Sequence, residues 1–204
     1  MNWTDNVVTR GLGKVADFMI LNVLWIICSI PIVTIGAATT AMYSVMLRLV
    51  KDEEGYIVKG FFKAFKENFK QSTIMWLIYM VVGTIIFVDI NFARVIGGQK
   101  GIFLQMFFLV LSAVLFGMGI YIFSLQARYV NSIKLTIKNA ALLTIGRLPY
   151  TVLLIVVSGG AILLTFLTVE TLAFGILFWL FLGVSVVCWL NSLILHRVFA
   201  IFDK

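Results

Sequence analysis

The sequence predicts an all-α membrane protein with about six membrane-embedded helices, the first two a tight hairpin at Pro31, plus an interfacial amphipathic helix near 57–70. Three observations predict it. The chain is 62% hydrophobic and 12% charged, where a soluble domain is roughly half apolar and a quarter charged. The apolar residues lie in long blocks, at about 15–30, 34–50, 72–92, 102–125, 150–168 and 172–195, and about 20 helical residues cross a ~30 Å hydrocarbon core. The basic residues collect in alternate gaps between the blocks. Little is left over for a water-soluble unit, so residues 1–204 are expected to form a single transmembrane helical domain.

The first block carries a basic flank, Arg10 and Lys14, and leads to Gly36-Ala37-Ala38, which together imitate a leader peptide and its cleavage site. A cleaved leader releases a polar end, whereas here a second apolar block follows at once. The segment is therefore expected to be retained. From Val15 to Val50 the chain is nearly continuous, and one helix of that length would run ~50 Å, too long for a single span. Pro31 removes a backbone donor and pushes Ile30 out of helical geometry, and Thr34, Gly36 and Thr39 allow a helix to restart. Pro31 and Gly36 are thus the turn residues.

Charge counting agrees with six spans. With both termini cytoplasmic, 14 of the 16 Lys and Arg lie inside, leaving Arg94 and Lys100 outside. Merging the first two blocks into one kinked span would give 12 against 4. Short loops concentrate Lys and Arg on the cytoplasmic side, so the six-span arrangement is preferred; a re-entrant 34–50 segment stays open.

Between the second and third blocks, residues 58–70 are amphipathic. At about 100° per residue, Phe61, Phe62, Phe65 and Phe69 fall within an arc of ~100°, and Lys59, Lys63, Lys66 and Lys70 within an adjoining arc of ~60°. Such a helix suits the headgroup plane. It serves either as a topological anchor or as a docking surface for a cytoplasmic partner.

The outer connections are short. Gly97, Gly98 and Gly101 supply one turn, and the other falls near Val169–Thr171. The inner stretches resemble each other: Lys66-Glu67-Asn68 precedes a pair of spans ending at Arg128, and Lys138-Asn139 precedes a pair ending at Arg197. The separations are 60 residues (Asn68 to Arg128) and 58 (Asn139 to Arg197). Two parallel repeats, 57–128 and 131–197, would account for this, as in many transport proteins; similar loop lengths alone would do so too. Lys66, Asn68, Lys138 and Asn139 are the candidate partner-docking residues.

Few residues recruit chemistry. Ionisable groups inside a span mark ion or proton pathways, yet Asp17, Asp89 and His196 all fall near span ends. Asn22, Thr40, Thr84, Gln105, Ser112, Thr165, Ser185 and Asn191 lie within spans, where interhelical hydrogen bonding or the lining of a pore would use them. The chain lacks a Walker motif, a His-Glu-x-x-His and a G-x-S-x-G elbow. Its single His and two isolated cysteines, Cys28 and Cys188, make no metal set or disulfide framework. No catalytic residue, metal ligand or cofactor is expected, and no ligand-binding residue is assigned. The net charge of +7 is accounted for by topology and anionic lipid, so no nucleic-acid partner is expected.

Leu21-Asn22-Val23-Leu24-Trp25 and Ser29-Ile30-Pro31-Ile32-Val33-Thr34-Ile35-Gly36-Ala37 resemble the opening of the bacterial YesL-type family, a domain of unknown function. Glu54-Gly55-Tyr56, Phe61-Phe62, Phe65-Lys66-Glu67-Asn68-Phe69-Lys70-Gln71 and Lys138-Asn139-Ala140 fit it as well. The resemblance covers nearly the whole chain and implies a small multi-pass protein of the bacterial cytoplasmic membrane, in families often encoded beside carbohydrate ABC importers and their sensor kinases. It carries no site residues. It implies an accessory or regulatory component of carbohydrate uptake, with the bilayer and an importer or its regulator as partners. A channel for a small polar solute and a membrane-embedded sensor or assembly factor are the alternatives.

Overall fold

The computed structural model describes residues 7–51, 53 and 55–200, with side chains from residue 12 onward apart from residues 52 and 54. The Arg10 side chain, Glu54 and Lys204 lie outside the described set. The elements are α1 (Val7–Ser29), a 3-10 turn (Ile32–Thr34), α2 (Ile35–Val50), α3 (Ile57–Ile96), α4 (Gly98–Arg128), α5 (Ile133–Gly146), α6 (Leu148–Thr165), α7 (Val169–Phe178), a π turn (Trp179–Gly183) and α8 (Val184–Phe199). Six helical stretches are long and apolar enough to cross a membrane: α1, the 3-10 turn with α2, α3, α4, α6, and α7 through α8. The fold is the membrane-type helical bundle that the hydrophobic blocks predict.

The hairpin at Pro31 forms as expected. Thr34 Oγ1 donates to the Cys28 carbonyl at 2.6 Å and the Pro31 carbonyl at 2.7 Å, replacing ladder bonds that the proline breaks. Two indoles tie the hairpin down: Trp25 Nε1 donates to Thr39 Oγ1 (3.1 Å) and Trp76 Nε1 to the Ile32 carbonyl (2.8 Å).

The core lies on α2, which packs against α1, α3, α4 and α8. Ten of its 16 residues are buried, from Gly36 through Leu47. Its small residues cause this. A Cβ on Gly36 would lie 2.6 Å from the Ser72 carbonyl oxygen and from Trp76 Cβ, so α2 and α3 approach at backbone distance. Thr40 Oγ1 and Ser72 Oγ, both fully buried, then hydrogen-bond at 2.9 Å. At 16 residues α2 is only ~24 Å long. Because protein rather than lipid surrounds it, its length need not match the hydrocarbon thickness.

Residues 57–70 are helical, as predicted, and they continue without interruption into the following span. α3 is one helix of 40 residues, ~60 Å by its rise, about twice the thickness of a hydrocarbon core. No Gly-Pro or Pro breaks the sequence between Val58 and Ile96, and nothing forces a corner. At its far end Gly97 and Gly98 adopt φ of 63° and 59°, which glycine takes without strain, and α4 returns antiparallel. The second turn lies at Phe166–Thr168, three residues earlier than the sequence suggests. Thr168 and Thr171 form a capping box, so 169–171 are the first turn of α7.

The two halves differ where the repeat would match them. Residues 57–96 are one helix, while the second half divides into α5 and α6 at Arg147. Pro149 is the reason: it fits only the first turn of a helix, so a new helix must start beside it. Lys14, Arg48, Lys51, Lys59, Lys63, Lys66, Lys70, Arg128, Lys134, Lys138, Arg147 and Arg197 fall toward the end of the bundle that carries α5; Arg94 and Lys100 fall at the other.

Candidate functional site

The predicted Phe and Lys faces of α3 separate into different environments. Phe61 is fully buried and stacks on Phe65 at a centroid distance of 6.3 Å, while Phe62 and Phe69 are each 40% exposed. Half of the aromatic stripe therefore seals α3 onto the bundle. Next to it the Arg48 guanidinium lies over Gly60, where a Cβ would come within 2.6 Å of Nη2. Lys59, Lys63, Lys66 and Lys70 are all exposed. Lys63 meets Glu67 at 4.0 Å, an exposed pair that contributes little.

Below this segment, Gln126 stitches three helices. Its Nε2 donates to Asn68 Oδ1 at 2.9 Å and to Gln71 Oε1 at 2.7 Å, both on α3. Its Oε1 accepts from Thr136 Oγ1 of α5 at 3.4 Å. Gln126 is only 5% exposed. Asn68, proposed from sequence for docking, has both ends of its amide engaged, since Nδ2 donates to the Ala64 carbonyl. Lys66 and Lys138 are exposed and Asn139 is half-buried. Gln126 went unnoticed in the sequence because a polar residue at a span end carries no distinguishing signal.

Asn139 lines a cavity of about 430 Å³ formed by the end of α4 and one face of α5. Leu125, Tyr129, Leu142 and Leu143 make its apolar walls, and Arg147 and Asn139 its polar side.

Within the spans, polar side chains are distributed pairwise along helix contacts. Asn22, fully buried on α1, clasps the π turn of the last span. Its Nδ2 donates to the carbonyls of Trp179 (2.9 Å) and Leu180 (2.8 Å), and its Oδ1 accepts from Ser185 N–H (3.1 Å). A π turn interrupts the regular ladder, and inside a bilayer each freed group needs a partner. Asn191 Nδ2 donates to Ser158 Oγ (2.8 Å) and Tyr43 Oη (3.3 Å), joining α8, α6 and α2. Tyr121 Oη and Thr151 Oγ1 lie 3.4 Å apart between α4 and α6, and Trp179 Nε1 donates to Thr165 Oγ1 at 2.8 Å. Thr84 and Ser112 bond to their own helix backbones. These groups do not converge on a shared chamber. Among the described residues no three His, Cys, Asp or Glu side chains cluster as a metal set.

A family model described as "Protein of unknown function, DUF624" matches residues 18–90. The matched stretch runs from within α1 through the hairpin and α2 to near the far end of α3, less than half of the chain. No curated protein matches the chain, and no solved structure does.

Proposed function

We propose that this chain is an accessory membrane protein of carbohydrate uptake, acting without enzymatic chemistry by associating with an ABC importer or its regulator. It lies in the bacterial cytoplasmic membrane with both termini and the α5 end cytoplasmic, in keeping with the positive-inside distribution of Lys and Arg.

The observation that supports this reading is the dispersal of the buried polar groups. Asn22, Thr40, Gln126 and Asn191 each bond a neighbouring helix, which suits a scaffold better than a conduction path. A transport route would gather such groups around one wet chamber. The partner surface is the Lys face of α3, carried on a helix long enough to project beyond the hydrocarbon. The importer itself comes from the family resemblance.

Co-purification from mild detergent tests the reading. Wild type is expected to bring down an importer or kinase component. A variant with Lys59, Lys63, Lys66 and Lys70 changed to Glu is expected to insert and fold but lose that component. Repeated recovery of wild type with neither would overturn the proposal, and solute flux in liposomes of the purified protein would replace it with a channel.

A further inference from the structure

The cavity beside α5 plays no part in the surface assigned to a protein partner, and its chemistry is distinct. Helices α4, α5 and α6 contain no Asp or Glu at all. Arg147, the cation that lines the cavity, therefore has no carboxylate on α4, α5 or α6; α3, which also meets α5, carries Glu67, but that carboxylate pairs with Lys63, and Glu53 pairs with Lys51. The side chains of Asn131 and Asn139, which also line the cavity, make no hydrogen bond among the described residues. One guanidinium beside two side-chain amides that are not engaged elsewhere suits an anion from outside the chain.

The rest of the cavity says which anion. Leu125 and Leu143 form a buried apolar floor, and Leu142 (61% exposed) stands at the edge. Ile145 (66%) and Leu148 (57%) continue that apolar edge outward. Leu148 opens the membrane-crossing stretch of α6, so the mouth lies where headgroups give way to acyl chains. A soluble phosphate would use the rim and leave the floor empty. We infer that this cavity binds an anionic phospholipid, its phosphate on Arg147 and Asn139 and an acyl chain along Leu125, Leu142 and Leu143. Basic pockets between helices on the cytoplasmic side are suited to such headgroups.

Native mass spectrometry of the full-length protein, with phosphatidylglycerol and phosphatidylcholine of identical chains, tests this. Wild type is expected to retain phosphatidylglycerol at least about fivefold better, the contribution of roughly one interfacial cation. Arg147→Gln should remove about that factor, and Arg147→Lys should keep it. Gly146 lines the cavity, and a Cβ there meets nothing within 4 Å; Gly146→Leu should therefore fold normally while lowering retention of phosphatidylglycerol. Lys100→Gln, at the opposite end, should change nothing. Equal retention of the two lipids by wild type would overturn the assignment. So would unchanged retention in both Arg147→Gln and Gly146→Leu, or displacement of the lipid by millimolar inorganic phosphate or an acidic peptide.

Discussion

A single amide holds the irregular part of the last span. Asn22 presents two donors to carbonyls and one acceptor to an N–H, the set that a π turn exposes. Interhelical hydrogen bonds in membranes contribute about 0.6–1.7 kcal/mol each, so three bonds on one fully buried side chain should outweigh the lone Thr40–Ser72 pair. Asn22→Leu is expected to destabilise the protein by about 2 kcal/mol and Thr40→Val by less than about 1 kcal/mol. Unfolding in mixed detergent micelles measures both; equal effects would show that the clasp contributes nothing special. In the sequence both residues are simply polar groups within spans, with nothing to rank them, because their partners lie 157 and 32 residues away.

Among the elements, α2 and α3 are decided by what they lack. Without bulk at Gly36, α2 lets the α3 backbone approach and becomes the axis of the bundle. Gly36→Ala would force a methyl to within 2.6 Å of Ser72 O, a backbone atom that cannot turn aside. The expected loss is about 1–3 kcal/mol. Gly160→Ala on α6 meets nothing within 4 Å and should be neutral or slightly stabilising through helix propensity. Thermal unfolding of the two variants side by side separates the contact from a general glycine effect. The amphipathic pattern of 57–70 was readable, but its continuity with the span was not. A periodicity that changes from amphipathic to wholly apolar is equally compatible with a corner or a straight run. Only the packing of Phe61 and Gly60 against the bundle, with Arg48 across them, decides how this segment sits.

For the whole molecule, the alternation of spans places Arg94 and Lys100 opposite the remaining described cations. In a Cys28→Ser background, with Cys188 buried, a cysteine at Lys100 should react with an impermeant thiol reagent applied to intact cells, and one at Lys138 should react only after lysis. The reverse pattern would invert the topology. Hydrophobic block length determined the number of spans, the hairpin at Pro31 and the turn at Gly97-Gly98, because lipid solvation and backbone sterics act locally and leave a local record. Which helix lies at the centre, which amide serves which carbonyl, and where α5 and α4 leave a cavity were decided only by tertiary structure. Those outcomes depend on distances between residues far apart in the chain, and every span offers lipid and neighbours the same apolar alphabet.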